Sequence, residues 1–169
     1  MIFVTVGTHE QPFDRLVEYI DKIKKDNVIL EEVIIQTGFC KYKPRMCKWD
    51  KMFSYKEMTR YVSEARIVIT HGGPSSFIMP LQVGKIPIVV PRQKAFGEHV
   101  NDHQVEFAKI VAERLENIIV VEDIDILGKI IQKYDIVIRN MKKNIISNNA
   151  EFCNSFGTIV DGIISKNSD

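Results

Sequence analysis

The run Ile67-Val68-Ile69, followed by His71-Gly72-Gly73-Pro74-Ser75-Ser76, constrains this chain more than any other stretch. Three consecutive β-branched residues are too short a run for a helix and suit a strand buried on both faces of a sheet. Gly72 and Gly73 then allow a tight turn. Pro74 fits the first turn of a helix, where no backbone N–H is needed. Ser75 and Ser76 add hydroxyls at the same helix start. Strand, glycine turn and helix N-terminus in that order can bind phosphate, because glycine lets the backbone approach an anion and the helix dipole favours its charge. A second apolar run, Ile86 to Val90, closes with Pro91 and is followed by Glu98, His99, Asn101, Asp102, His103 and Gln104. Both strands therefore end in polar residues over one sheet edge, where open α/β sheets take ligands.

The remaining elements alternate. Ile2 to Val6 reads as a first buried strand, with Gly7-Thr8-His9 turning at its end. Past Pro12, the residues Phe13, Leu16, Val17, Ile20 and Ile23 recur at helical spacing. Glu32 to Thr37 is a second strand, stopped by Gly38, and a short strand is expected near Met52-Phe53. Tyr55 to Ala65 predicts a helix with Met58, Tyr61 and Val62 inward. The helix from Pro74 turns Phe77, Ile78 and Leu81 to the core, with Met79 beside them, and stops at Gly84. Another helix from about His99 carries Val100, Val105, Phe107, Ala108 and Val111 inward. Ile118 to Val121 is a late strand and Ile124 to Ile138 a helix. The Asn-rich residues 144–149 predict a break. The last segment, 149–169, aligns Phe152, Phe156, Ile159, Val160, Ile163 and Ile164 on one helical face. That face is expected to pack on its own domain, with a partner surface as the alternative. The alternation calls for an α/β fold, a doubly wound parallel sheet of Rossmann type. No repeat or linker divides the chain, and 169 residues suit one domain over 1–169.

Composition removes several classes. Twenty-three Lys and Arg stand against 22 Asp and Glu, a net charge of +1, so bulk charge does not draw a polyanion, and nucleic acid is not expected as a partner. No stretch approaches about 18 consecutive apolar residues, the minimum for a membrane-spanning helix. Cys40, Cys47 and Cys153 have spacings that suggest neither a zinc site nor a disulfide framework. A cytoplasmic protein is expected. The segment Phe39 to Lys51 interleaves Lys41, Lys43, Arg45, Lys48 and Lys51 with Tyr42 and Trp49. It is read as a solvated loop, the alternative being contact with anionic headgroups.

Three pieces in order, HGGPSS, GKIPIVVP and GEHVNDHQ, together with the opening IFVTVGTH, resemble the donor-binding half of the GT-B glycosyltransferases. The likeness is to the family-28 C-terminal domain and its short single-domain members. Those include the catalytic subunit of the two-part N-acetylglucosaminyl transferase of the dolichol pathway and bacterial counterparts in capsule and exopolysaccharide synthesis. The resemblance covers the first two-thirds of the chain well and the last third only by pattern. It implies the fold of the C-terminal half of such an enzyme and a UDP-sugar as donor substrate. It also implies a catalytic subunit working with a membrane-anchored, acceptor-binding partner at the inner face of the membrane, on a lipid-linked saccharide acceptor.

The resemblance also assigns roles. His71 would contact the diphosphate and Ser76 would bond it, with Gly72, Gly73 and Ser75 in the same turn and Gly7 and Thr8 on the other side. Gln104 matches a residue that bonds donor-sugar hydroxyls, and Asn101 and Asp102 are placed to share that task. Glu98, His99 and His9 are candidates for the base that deprotonates the acceptor hydroxyl. Arg92 and Lys94 are candidates for phosphate or partner contact. A helix N-terminus can stabilise the leaving diphosphate, so transfer without a metal or other cofactor is expected. Where relatives have an acidic residue for the ribose, this chain has Met79, whose thioether accepts hydroxyl bonds poorly. That departure leaves room for a non-catalytic, nucleotide-sugar-binding or activating subunit. A dinucleotide oxidoreductase predicts G-x-G-x-x-G after the first strand, and the loop here reads Gly7-Thr8-His9-Glu10-Gln11-Pro12.

Overall fold

In the computed structural model, residues 1–141 and 149–166 are described. The first strand, β1 (Ile2–Thr5), is buried along its whole length. It pairs in parallel with β2 (Val33–Gln36) on one side and with β4 (Ile67–His71) on the other. Strand β3 (Lys48–Asp50) adds beyond β2, while β5 (Ile88–Val90) and then β6 (Ile119–Val120) add beyond β4, all parallel. The resulting order, β3-β2-β1-β4-β5-β6, reverses direction between β1 and β4. That reversal opens a crevice at the carboxyl ends of the two strands.

The apolar runs are continuous because both faces are covered. Ile2, Val4, Ile35, Ile67, Ile69, Ile88 and Val90 point to one face, under α1 (Asp14–Lys25) and α5 (Leu127–Arg139). Phe3, Ile34 and Val68 point to the other, where α2 (Tyr55–Glu64) contributes Val62. Helices α3 (Pro74–Gln82) and α4 (His103–Leu115) set Phe77, Leu81 and Ala108 on Val89 of the same face. The alternation of faces along each strand is the period of two that a pleated backbone imposes. Ser54 starts α2 with a reciprocal capping box. Its Oγ accepts from the Glu57 N–H at 3.3 Å, and a Glu57 carboxylate oxygen accepts from the Ser54 N–H at 2.9 Å.

Three expectations are corrected. The strand expected near Met52-Phe53 is β3, at Lys48–Asp50. Two carboxylates on α1 reel in the chain ahead of it. Asp14 accepts from the Lys41 and Tyr42 N–H groups, and Asp21 accepts from the Tyr42 hydroxyl and the N–H groups of Arg45, Met46 and Cys47. This crossover fixes the register, and Phe53 is left to pack on Phe3 and Tyr61 instead. Helix α4 begins at His103 rather than His99, because residues 97–102 form a polar turn, and Val100 is exposed there. Ile78 and Phe107, expected inward, are half exposed. The last helix, α6 (Asn149–Lys166), exposes Phe156, Ile159, Ile163 and Ile164 by 56–61%. The break expected over 144–149 and the side chain of Phe152 fall outside the described residues. No helix among the described residues is long and apolar enough to cross a membrane.

Burial raises the Asp21 pKa, and the N–H groups of Arg45 and Met46 with the Tyr42 hydroxyl outweigh it, leaving the carboxyl below its usual value. A depressed carboxyl pKa stabilises the fold fully above the unfolded value near 3.9, and that contribution is lost as pH falls through it. Asp21→Asn, which keeps one acceptor oxygen, should cost about 2 kcal/mol in urea unfolding at neutral pH and flatten the acid limb of the stability profile.

Candidate functional site

The crevice between β1 and β4 holds a cleft of about 600 Å³. Its polar wall is Gly7, Thr8, His9, His71, Ser75 and Ser76, and its apolar wall includes Phe53, Met58, Val62 and Met79. Gly7 and Thr8 of one expected loop therefore meet His71, Ser75 and Ser76 of the other, while Gly72 and Gly73 are not in the wall.

His71 is the hub of the polar wall. It ends β4, is 9% exposed, and its Nδ1 accepts from the Gly73 N–H at 3.0 Å. The neutral ring must then carry its proton on Nε2, which donates to Ser76 Oγ at 2.9 Å. Burial lowers the His71 pKa to about 4, helped by the nearby Arg92 guanidinium, so the ring is uncharged at neutral pH. Glycine is required on both sides of it. A Cβ on Gly7 (φ +77°) would lie 2.3 Å from His71 Nε2, and one on Gly73 would lie 2.2 Å from its Cε1. A Cβ on Gly72 would press on Gln104 at 2.8 Å.

Gln104 lies outside the cleft walls. It is buried at the start of α4, and its Oε1 accepts from the N–H groups of Gly72 at 3.1 Å and Arg92 at 3.2 Å. It ties the turn after β4 to the end of β5. Asn101 and Asp102 are exposed on the turn before α4 and also lie outside the walls. Asp102 accepts from the Lys94 N–H at 2.8 Å, and Asn101 Oδ1 accepts from the His103 N–H and from its Nδ1.

Arg92 is buried, its side chain 1% exposed. Its guanidinium donates to the carbonyls of Val6, Gln11, Pro12 and Glu98 and stands 5.0 Å from the Phe13 ring centroid. It pins the loop after β1 to the loop after β5 and sets a fixed positive charge behind the cleft. No sequence signal separates such a buried arginine from an exposed one.

The proposed bases fare differently. Glu98 is buried, with Arg15 Nε at 2.7 Å from one oxygen and Arg15 Nη2 at 2.9 Å and the Gln93 N–H at 3.0 Å from the other. Both oxygens are thus engaged, in a separate hollow walled by Arg15 and Phe96. His9 and His99 meet at a tilt of 41° with ring centroids 5.1 Å apart, and His103 meets His99 edge-on at 4.5 Å. All four histidines of the chain thus gather at one sheet edge. The Nδ1 atoms of His9 and His99 accept from the N–H groups of Gln11 at 3.1 Å and Asn101 at 3.5 Å, leaving Nε2–H outward in the neutral rings. His103 has the opposite tautomer. Its Nδ1 faces the Asn101 oxygen, so its Nε2 carries the lone pair. Sequence reading passed over His103 as one polar residue among several.

Met79 stands in the cleft wall and packs on the cluster of Phe3, Val62 and Val68. The position that the resemblance assigns to the ribose therefore presents an apolar side chain to the cleft. One Asp-x-Asp string does exist, Asp123-Ile124-Asp125, a pattern that the metal-free expectation left out. It forms a turn after β6 in which Asp123 accepts from the Asp125 N–H at 3.0 Å, away from the cleft walls. Among the described residues, no group of three or more acidic, histidine or cysteine side chains is arranged to hold a metal ion.

Residues 1–156 match the family described as Glycosyltransferase family 28 C-terminal domain. The chain belongs to that family. No curated protein matches it. Among solved structures, the chain is similar to CalG4, the calicheamicin glycosyltransferase, with a TM-score of 0.61 and 13% identity, covering 96% of this chain and 43% of that one. It is also similar to MurG from Acinetobacter baumannii, with a TM-score of 0.54 and 15% identity, covering 84% of this chain and 42% of that one. At such identities the likeness shows the fold alone. The chain spans less than half the length of either.

Gly73→Ala should leave a folded protein whose His71 ring is displaced, as a shift of its ring resonances would report. In the free protein, the His71 ring resonances should stay unshifted from pH 8 to about 5.5 and titrate near 4. Because this pKa lies below the unfolded value near 6.5, its stabilising effect is complete above that value and is lost as pH falls toward 4.

Proposed function

We propose that this family 28 domain binds a UDP-sugar in the β1–β4 cleft and forms the donor half of an inverting, metal-independent glycosyltransferase. The observation that carries the reading is the pairing of the His71-Gly73-Ser76 turn with Gly7 and Thr8 across the switch point. Diphosphate would lie against the N-terminus of α3, with the Ser75 and Ser76 hydroxyls as donors and the His71 Nε2–H orienting Ser76 Oγ. The buried Arg92 charge and the α3 dipole would stabilise the charge that grows on the leaving diphosphate. Uracil would rest on the apolar wall of Phe53, Met58 and Val62. Met79 means the ribose is held by groups other than an acid on α3.

Direct attack by the acceptor hydroxyl on the anomeric carbon inverts that centre. The hydroxyl proton must go to a nitrogen or oxygen with an available lone pair. Glu98 is occupied by Arg15, and His9 and His99 present N–H. The His103 Nε2 is therefore the best-suited base on this chain. The chain spans under half of the two-domain structures it resembles, so the acceptor is assigned to a second polypeptide. We place that partner at the membrane, presenting a lipid-linked saccharide in capsule or exopolysaccharide assembly, with galactose, glucuronic acid or N-acetylglucosamine as donor sugar. Met79 favours one second reading, a subunit that binds nucleotide-sugar and activates its partner without performing the transfer.

Calorimetric titration with UDP, the three UDP-sugars and NAD tests the reading. UDP should bind and NAD should not, and His71→Ala should weaken UDP by about tenfold or more. NAD binding in place of UDP would overturn it. Activity of the assembled complex that survives both His71→Ala and His103→Gln would favour the activating subunit.

A further inference from the structure

The crossover between β2 and β3, with β3 itself, forms a surface outside the walls of the β1–β4 cleft. From Phe39 to Lys51 the chain carries Lys41, Lys43, Arg45, Lys48 and Lys51 against a single carboxylate, Asp50. That is a net +4 within a chain of net +1, so the rest of the chain is net −3. Among the described residues only Lys48 of these five has a carboxylate partner, Glu32. The same stretch exposes Phe39 by 41%, Met46 by 49% and Trp49 by 39%.

A solvated loop would be free to turn such side chains away from water. This one is not. Asp14 and Asp21 hold the backbone N–H groups of Lys41, Tyr42, Arg45, Met46 and Cys47. The Trp49 indole N–H donates to the Pro44 carbonyl at 3.1 Å. The Lys51 ammonium stands 4.7 Å from the Phe39 ring centroid. The display is thus ordered before any contact, which removes the entropy cost of ordering it on binding. A hollow of about 250 Å³ lies among Phe39, Tyr42, Lys43, Trp49 and Lys51. It offers two ammonium groups and aromatic walls, a setting that suits a phosphate headgroup. The hollow begins at the carboxyl end of β2, the sheet edge on which the cleft also opens.

We propose that this surface binds an anionic membrane directly, without the partner subunit. Lys41, Lys43, Arg45 and Lys51 meet lipid phosphates, and Phe39, Met46 and Trp49 enter the interfacial zone. Basic residues near an anionic leaflet attract it, and amphipathic aromatic rings favour the headgroup level. The proposal stands on this patch alone and not on the donor-binding reading.

Trp49 is the single tryptophan, so its fluorescence reports this surface and no other. In the full chain its emission should shift to the blue with vesicles of phosphatidylcholine and phosphatidylglycerol and not with phosphatidylcholine alone. Raising salt from about 0.1 M to about 0.5 M should release the protein. The double variant Lys43→Glu with Arg45→Glu should weaken vesicle partitioning by about 25-fold or more, from about fivefold per cation. The same charge change on α5, Lys129→Glu with Lys133→Glu, should leave it unchanged. Equal loss in both variants, or no vesicle binding by the parent chain, would overturn the proposal and leave the lysines as guards of an exposed sheet edge. Tighter binding of an RNA oligonucleotide or polyglutamate than of vesicles, in the same readout, would overturn the lipid assignment. UDP titration of the Lys43→Glu, Arg45→Glu protein should match the parent, which separates failure of this surface from failure of the cleft.

Discussion

One buried cation holds the cleft together. Among the described residues the Arg92 guanidinium has no carboxylate in direct contact, and it donates to carbonyls of the loop after β1 and the loop before α4. A charge removed from water is costly unless its donors are satisfied. Here the carbonyls take the two terminal nitrogens, Nε has no partner among the described residues, and the loops so joined are also tied by the Arg15–Glu98 pair. Gln104 does the same for the turn after β4, holding the Gly72 and Arg92 N–H groups on one oxygen. Strand order puts the three loops side by side, and these two side chains lock them.

The consequence is electrostatic as well as geometric. His71 is buried beside a permanent positive charge, so it stays neutral and acts as an oriented hydrogen-bond donor to Ser76. A neutral donor at a helix start, with a cation behind it, suits an anion whose charge increases during reaction. In the proposed transfer it would bind the extra charge without a protonation step. The close fit of the ring between Gly7 and Gly73 shows why the turn tolerates no side chain there. The other three histidines lie outside that buried pocket, in contact with one another, and their tautomers are set by neighbouring backbone and Asn101.

The two ends of the crossover before β3 have separate duties. On its inner side, Asp14 and Asp21 of α1 take its N–H groups and decide where β3 begins. On its outer side it carries the cations and aromatics. A carboxylate that gathers several N–H groups fixes a segment without regular structure, and such a segment can then present long side chains outward in a set pattern.

The amino-acid sequence by itself determined the alternation of buried strands and amphipathic helices, the parallel sheet and the glycine turn at β4. Apolar period and glycine placement are local properties that a chain carries wherever it folds. His71, Ser75, Ser76, Gly7 and Thr8 were legible as a cleft for the same reason, since each follows directly from a strand end. The tertiary structure alone decided the rest. Glu98 and Arg92 are polar residues in a polar stretch, and only packing across 83 and 86 residues shows that Glu98 pairs with Arg15 and Arg92 with the Val6 carbonyl. The start of β3 depended on hydrogen bonds from α1, which no local pattern records. His103 gained its free nitrogen from the way the turn before α4 folds Asn101 against it. Long-range partners set burial, charge and tautomer, and those quantities do not exist until the loops meet.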